Sequence, residues 1–141
     1  MFLVDKGESM TANEAKQKRI LIIDDDEVIT GLIQTLLSKE GYTVYTANNG
    51  LDGEKMALEN KPHLIFMDIS MPEQDGYETT EKIKNYPELR EIPIVFLTGQ
   101  SAGEDKGRAF AKGGTSFICK PFANQQLISL TTLILETVQV D

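Results

Sequence analysis

The chain has 141 residues, 40% of them hydrophobic and 26% charged, a balance that is typical of one globular domain and excludes a disordered or membrane-spanning chain. Its net charge of -8 argues against direct binding to nucleic acid, because neutralising phosphates requires clustered Lys and Arg. Cys119 is the only cysteine, which excludes an internal disulfide, and the apolar start at residues 1–4 is too short for a signal peptide or a membrane span, so we expect a cytoplasmic protein.

The order of apolar runs predicts the secondary structure. Residues 1–18 are mostly polar without a sustained apolar period, so we interpret them as a flexible N-terminal leader. From Arg19 onward, short apolar runs alternate with amphipathic stretches, which is typical of βα units and a parallel sheet. The predicted strands are Ile20–Ile23, Thr43–Ala47, Leu64–Met67, Ile94–Leu97 and Phe117–Cys119. The predicted helices cover about residues 27–40, 50–60, 76–85, 103–111 and 124–138. Five such units favour an open doubly wound α/β sheet, since a closed barrel would need eight strands.

Three of the helices carry further expectations. Asp26 precedes the first helix and is interpreted as its N-cap in preference to a metal ligand. The helix at 103–111 contains two glycines and should be the least stable, and we expect a mobile segment over 99–111. The last helix, 124–138, is apolar around more than one stripe. Either its second face contacts a partner or the extra apolar residues pack under the leader, and the sequence favours neither.

Acidic residues follow two of the predicted strands. Asp24 and Asp25 come directly after the first strand, and Asp68 closes the third. Because the carboxyl ends of parallel strands meet at one edge of a sheet, where ligands gather in doubly wound folds, we expect these side chains to lie close together. Adjacent carboxylates raise one another's pKa and repel unless a cation lies among them, and all-oxygen ligands favour a hard ion such as Mg²⁺. The sequence therefore predicts a magnesium site, whereas Asp75 is interpreted as part of a turn.

Thr98 and Lys120 each follow a further predicted strand and complete a set of motifs at strand ends. The motifs are Asp24-Asp25, Met67-Asp68, Met71-Pro72, Asp75-Gly76, Leu97-Thr98-Gly99 and Lys120-Pro121-Phe122. In order and spacing they resemble the receiver domain of two-component response regulators, and in particular the single-domain type similar to chemotaxis regulators. The resemblance covers about residues 19–138 and implies a flavodoxin-like, five-stranded parallel sheet of order 2-1-3-4-5 with five helices. It also implies a cis bond between Lys120 and Pro121.

The resemblance implies a role for each residue of the site. Asp68 corresponds to the phosphoacceptor, and Thr98 and Lys120 correspond to the residues that contact the phosphoryl group. The implied magnesium ligands are Asp24, Asp25, Asp68 and the backbone carbonyl of Ser70. Phe117 matches the aromatic position that turns inward as Thr98 moves, although an aromatic residue in an edge strand can simply pack in the core.

The function implied is a signalling switch. A histidine kinase or a histidine phosphotransfer protein would phosphorylate Asp68, and the protein would then signal to an output partner that the sequence does not identify. Its only enzymatic chemistry would be its own phosphorylation and dephosphorylation. A homodimer through the helix at 103–111, the fifth strand and the last helix is a further expectation.

Four alternatives compete with this function. An aspartyl phosphohydrolase would need a second Asp where Ser70 stands, and a flavin-binding protein would need a phosphate-cradling loop after the first strand. A degenerate receiver used only for docking would not need the intact acids. A fragment of a larger hybrid kinase would have the same sequence features as a whole single-domain protein.

Overall fold

The computed structural model describes residues 17–99 and 116–137. The strands are β1 (Arg19–Ile23), β2 (Thr43–Ala47), β3 (Leu64–Asp68), β4 (Ile94–Thr98) and β5 (Ser116–Cys119). The α-helices in these ranges are α1 (Glu27–Lys39), α2 (Gly50–Asn60), α3 (Gly76–Lys84) and α4 (Asn124–Glu136), with a short 3₁₀ helix at Pro87–Leu89. The predicted helix at 103–111, the expected mobility there and residues 1–16 of the leader lie outside the described residues.

The five strands form one parallel sheet in the order β2-β1-β3-β4-β5. This order confirms the predicted doubly wound, flavodoxin-like sheet. The central strands β3 and β4 are buried along their whole length, which explains why their sequences are continuous apolar runs and do not alternate. Every strand runs in the same direction, so all the carboxyl ends reach one edge of the sheet.

The core consists of two apolar layers, one on each face of the sheet. Alternate residues of β1 show the division, since Ile20 and Ile22 pack on the face covered by α1 and α4, and Leu21 and Ile23 pack on the face covered by α2 and α3. A strand that is buried on both sides leaves no solvated face, so polar residues are confined to its ends. The functional side chains therefore have to follow the strands.

Side-chain caps fix where the helices begin. Asp26 caps α1 as predicted, because its carboxylate accepts from the backbone N–H groups of Val28 at 2.9 Å and Ile29 at 3.4 Å. Asp75 accepts from the backbone N–H of Glu78 at 2.9 Å and caps α3 in the same way. Both carboxylates are thus occupied at helix starts, in agreement with the sequence-based interpretation.

The last helix, α4, ends beside the start of the described chain. Its buried residues are Leu127, Thr131 and Leu135. The Lys18 ammonium donates to the Leu135 backbone carbonyl at 3.0 Å, so the end of the leader contacts the carboxyl end of this helix. Leu133 is 65% exposed, which leaves both interpretations of the second apolar face open. Of the helices in the described ranges, none combines the length and the apolar character that crossing a membrane requires.

Candidate functional site

Three carboxylates meet at the carboxyl edge of the sheet. β1 and β3 are neighbours with Ile23 opposite Met67, so the next residues, Asp24 and Asp68, lie side by side. One carboxylate oxygen from each of Asp24, Asp25 and Asp68 lies within 4.8 Å of the others. Asp24 is fully buried and Asp68 is 6% exposed, whereas Asp25 reaches solvent. The structure therefore brings together the three acids that the strand-end pattern singled out.

Lys120 supplies positive charge to this cluster from the end of β5. Its Nζ lies 2.8 Å from Asp24 Oδ2 and 3.4 Å from Asp68 Oδ1. Its backbone N–H donates to the Thr98 carbonyl, which holds the residue at the sheet edge, and the following bond to Pro121 is cis. One ammonium thus bridges two buried acids that are far apart in the sequence.

The charges in the cluster are not balanced. Burial raises the pKa of Asp68 and the nearby Asp24 charge raises it further, so the pKa reaches about 7 even though the Lys120 ammonium lowers it. Burial by itself would lower the pKa of Lys120, but its hydrogen bonds and charge interactions with Asp24 and Asp68 outweigh burial and raise it. Three carboxylates facing one ammonium leave an excess of negative charge. Oxygen ligands with such an excess fit a hard divalent cation.

The other predicted site residues are Thr98, Phe117 and Ser70. Thr98 ends β4, one position beyond the partner of Asp68 in the sheet, and its hydroxyl donates to the Gly99 carbonyl at 3.2 Å. Phe117 lies in β5 opposite Phe96, half-buried against the core layer that α2 and α3 cover. This packing agrees with the interpretation of Phe117 as a core residue, and it is also compatible with an aromatic side chain that turns inward as Thr98 moves. Ser70 is exposed, two residues after Asp68.

The loop that follows β3 contains features that the sequence did not reveal. A Cβ on Gly76 would lie 2.2 Å from the Asp68 backbone carbonyl oxygen, so only glycine allows α3 to begin this close to Asp68. Gln74 is buried in the same loop. A glutamine between Glu73 and Asp75 looks like a solvated loop residue in the sequence, and no pattern distinguished it.

His63 lies at the other end of β3 from Asp68. It is buried, and its Nδ1 accepts from the Arg19 backbone N–H at 3.0 Å, which joins the starts of two strands. This position gives it a structural role and keeps it away from the acid cluster.

Comparison with known proteins agrees with this geometry. A family model described as the response regulator receiver domain matches residues 20–132. The chain belongs to this family. Receiver domains are signalling domains of two-component systems with a flavodoxin-like fold, so the fold and family that the motifs implied are confirmed.

Three known proteins show the extent of the similarity. The receiver is 34% identical over 110 residues to Protein PilG of Pseudomonas aeruginosa, a match that covers 78% of this chain and 82% of PilG. It is 34% identical over 112 residues to the probable transcriptional regulator ycf29 of Pyropia yezoensis, covering 79% of this chain and 50% of that protein. The structure of the chemotaxis protein CheY4 of Vibrio cholerae superposes with a TM-score of 0.79 at 26% identity, covering 83% of this chain and 98% of CheY4. The chain thus spans about half the length of ycf29 and nearly all of CheY4.

Proposed function

We propose that this receiver accepts a phosphoryl group on Asp68 in the presence of Mg²⁺ and signals to a partner by changing conformation. The observation that carries the proposal is the cluster of three carboxylates, with their oxygens within 4.8 Å, beside the ammonium of Lys120. The same arrangement supports the assignment of Asp68 as the phosphoacceptor, because it is the acid that also closes the central strand β3.

The phosphoryl donor would be a phosphohistidine on a histidine kinase or a histidine phosphotransfer protein. An oxygen of the Asp68 carboxylate attacks phosphorus and a P–O bond forms while the P–N bond of the donor breaks. The electron pair of the broken bond stays on the imidazole nitrogen, which takes up a proton, and Asp68 becomes an acyl phosphate. Asp68 must be ionised to attack, and its pKa of about 7 means that added positive charge favours the reactive form.

The donor set is suited to Mg²⁺, which takes one or two protein carboxylates and completes its shell with water and substrate oxygens. We propose Asp24, Asp25, Asp68 and the backbone carbonyl of Ser70 as the residues that hold it. When bound, the ion offsets the repulsion between the carboxylates and the incoming phosphoryl group.

Lys120 and Thr98 would contact the phosphoryl group and so respond to its negative charge. A phosphoryl group adds about -1.5 to -2 charges and three strong acceptor oxygens. The Lys120 ammonium already lies 3.4 Å from an Asp68 oxygen, so it can pair with a phosphoryl oxygen by a small movement. The Thr98 hydroxyl would exchange its bond to the Gly99 carbonyl for one to the phosphoryl group. Phe117, in the neighbouring strand, would then turn inward, and a shift from about 1:99 to 99:1 between the two packings needs about 5.5 kcal/mol.

Several broader features belong to the same proposal. The receiver would span residues 19–138, and the family match over 20–132 supports these bounds. The receiver would act in the cytoplasm on an output partner, with a homodimer through residues 103–111, β5 and α4 as a further state. Because the chain matches only 50% of ycf29, the partner and the output are proposed for the receiver domain and not for a longer protein.

Phosphorylation of the purified chain tests the central step. Incubation with acetyl phosphate and Mg²⁺ should add one phosphoryl mass, observed by intact-mass spectrometry, and EDTA should prevent it. Asp68→Asn should abolish the addition. Asp75→Asn removes the same charge at a helix cap, where Asn works as well as Asp, and should be labelled normally. Equal labelling of Asp68→Asn and the unmodified protein would refute the assignment.

A further inference from the structure

The β3–α3 loop, residues 69–75, leaves the sheet at Asp68 and contains a buried glutamine near its far end. Gln74 is 6% exposed, although its neighbour Glu73 is exposed to solvent. A side-chain amide that loses its water is costly unless its donor and acceptor find partners in the protein. The burial of Gln74 therefore has to be compensated by specific contacts.

The Gln74 amide joins two residues of α3. Its nitrogen donates to the Thr79 hydroxyl at 3.0 Å, and its oxygen accepts from the Lys82 ammonium at 2.5 Å. The Thr79 hydroxyl in turn donates to the Asp75 backbone carbonyl at 2.8 Å, at the end of the same loop. These three contacts tie the far end of the loop to the helix that follows it.

Gly50, the first residue of α2, packs against the hydrogen-bonded bridge that Gln74 forms with Thr79 and Lys82. A Cβ on Gly50 would lie 2.3 Å from Thr79 Oγ1 and 2.9 Å from both the side-chain nitrogen and the backbone carbonyl oxygen of Gln74. Gly50 therefore packs against the bridge without space for a methyl group. The far end of the loop is clamped between two helices.

The near end of the loop is held by the backbone. The Gly76 N–H donates to the Ile69 carbonyl at 2.9 Å, which closes the loop at its base beside Asp68. Ser70, the proposed carbonyl ligand, lies between the two fixed ends. A ligand on a loop that is already ordered does not have to lose conformational entropy when the ion binds.

We propose that Gln74 is a positioning residue for the metal site, because it keeps the β3–α3 loop in the arrangement that Mg²⁺ binding requires. Gln74 contacts α3 and acts on the ion only through the loop. This inference rests on the proposed function, since it assumes that Mg²⁺ binds to the acid cluster and to the loop.

Calorimetric titration of the full chain with magnesium chloride tests the inference. Gln74→Met keeps an unbranched side chain of similar length and removes both hydrogen-bonding groups. The Mg²⁺ dissociation constant should rise about 10-fold, the lower end of the range seen when groups that orient metal ligands are removed. Amide exchange in EDTA should become faster over residues 69–75. A dissociation constant within twofold of the unmodified protein would overturn the proposal.

Lys82→Met gives an independent result should Gln74→Met fail to fold, because Lys82 is exposed. Loss of a positive charge by itself would tighten binding of a cation, so weaker Mg²⁺ binding in this variant would point to the lost contact with Gln74. Lys55→Met, also exposed, removes the same charge on α2 and should not weaken binding. In a double-mutant cycle, Lys82→Met should add little to Gln74→Met, because both remove the same bridge. Unchanged or tighter binding in Lys82→Met would count against the proposal.

Thr131→Val separates positioning from a general loss of stability. It removes a buried hydroxyl hydrogen bond of 2.8 Å within α4, outside the proposed site, and should lower stability without changing the Mg²⁺ dissociation constant. If the unmodified protein does not bind Mg²⁺ at all, the proposed function fails. If it binds Mg²⁺ and Gln74→Met binds equally well, only the positioning role fails.

Discussion

Asp68→Asn should stabilise the metal-free receiver, because it removes one of three crowded carboxylates without changing the shape of the side chain. The pKa of Asp68 is raised from 3.8 to about 7 in the folded protein. A carboxyl group whose pKa is raised by folding does not destabilise the protein while it is protonated, below its unfolded-state pKa. As the pH rises from the unfolded-state pKa to the folded-state pKa, the free energy of unfolding falls. The cost of ionising Asp68 therefore appears between about pH 4 and pH 7.

The magnitude follows from the size of the shift. Roughly three pKa units at about 1.4 kcal/mol each give about 4 kcal/mol as an upper value for the cost at pH 8. Relaxation around the charged group reduces this, so we expect Asp68→Asn to raise the free energy of unfolding by about 2–4 kcal/mol at pH 8 and by little near pH 4. The Lys120 ammonium keeps its 2.8 Å contact with Asp24, so the substitution leaves no unpaired cation.

Urea denaturation in EDTA at several pH values measures this effect. At pH 8 the midpoint should move upward by about 1–2 M, given a typical slope for a domain of this size. Saturating Mg²⁺ should narrow the gap, because the ion stabilises only the protein that retains its carboxylate cluster. Asp75→Asn is the matched control and should have little effect. Equal stability of Asp68→Asn and the unmodified protein at pH 8, or an equal gain in Asp75→Asn, would refute the electrostatic argument.

Three further predictions concern the packing of the helices and the charges of the site. Gly31→Ala should raise the free energy of unfolding by up to about 1 kcal/mol, because nothing lies within 4 Å of the added Cβ. Gly53→Ala should lower the free energy of unfolding by about 1–3 kcal/mol, because its Cβ would lie 2.5 Å from the buried Ile23 side chain. Equal effects of the two substitutions in urea denaturation would contradict this contrast. Lys120→Met should lower stability in EDTA by about 2 kcal/mol, since it leaves the fully buried Asp24 carboxylate without its ion pair, and Mg²⁺ should restore part of the loss; an unchanged denaturation midpoint would argue against the ion pair. The affinity for Mg²⁺ measured by calorimetry should fall as the pH drops below about 7, because protons compete for Asp68, and a flat profile between pH 6 and pH 8 would show that this carboxylate is not a ligand.

Sequence patterns predicted the strands and the meeting of the acids for a simple physical reason. An apolar run that is buried on both faces can change to polar residues only where the strand ends, and parallel strands end at the same edge. The positions of Asp24 and Asp68 follow directly from this rule. The roles of Asp68, Thr98, Lys120 and Ser70 stay predictions, since they depend on phosphorylation and on the ion.

Side-chain contacts between distant parts of the chain could not be predicted in the same way. Periodicity did not show that Asp24 is buried while Asp25 is exposed, nor that the Lys120 ammonium is shared between two acids. The burial of Gln74 was also hidden, because it arises from contact with Gly50 and α3 and not from any local pattern.

The contact between Lys120 and Asp24 joins positions that are 96 residues apart along the chain. During synthesis on the ribosome, the acids of β1 and β3 emerge well before the only described cation that pairs with them. Contacts of such long sequence separation form late, because closing the intervening chain costs entropy first. Until β5 is added, the nascent chain has unneutralised acids at the edge of an incomplete sheet, so a protein that is cut short before Lys120 would be expected neither to complete its fold nor to carry a signal.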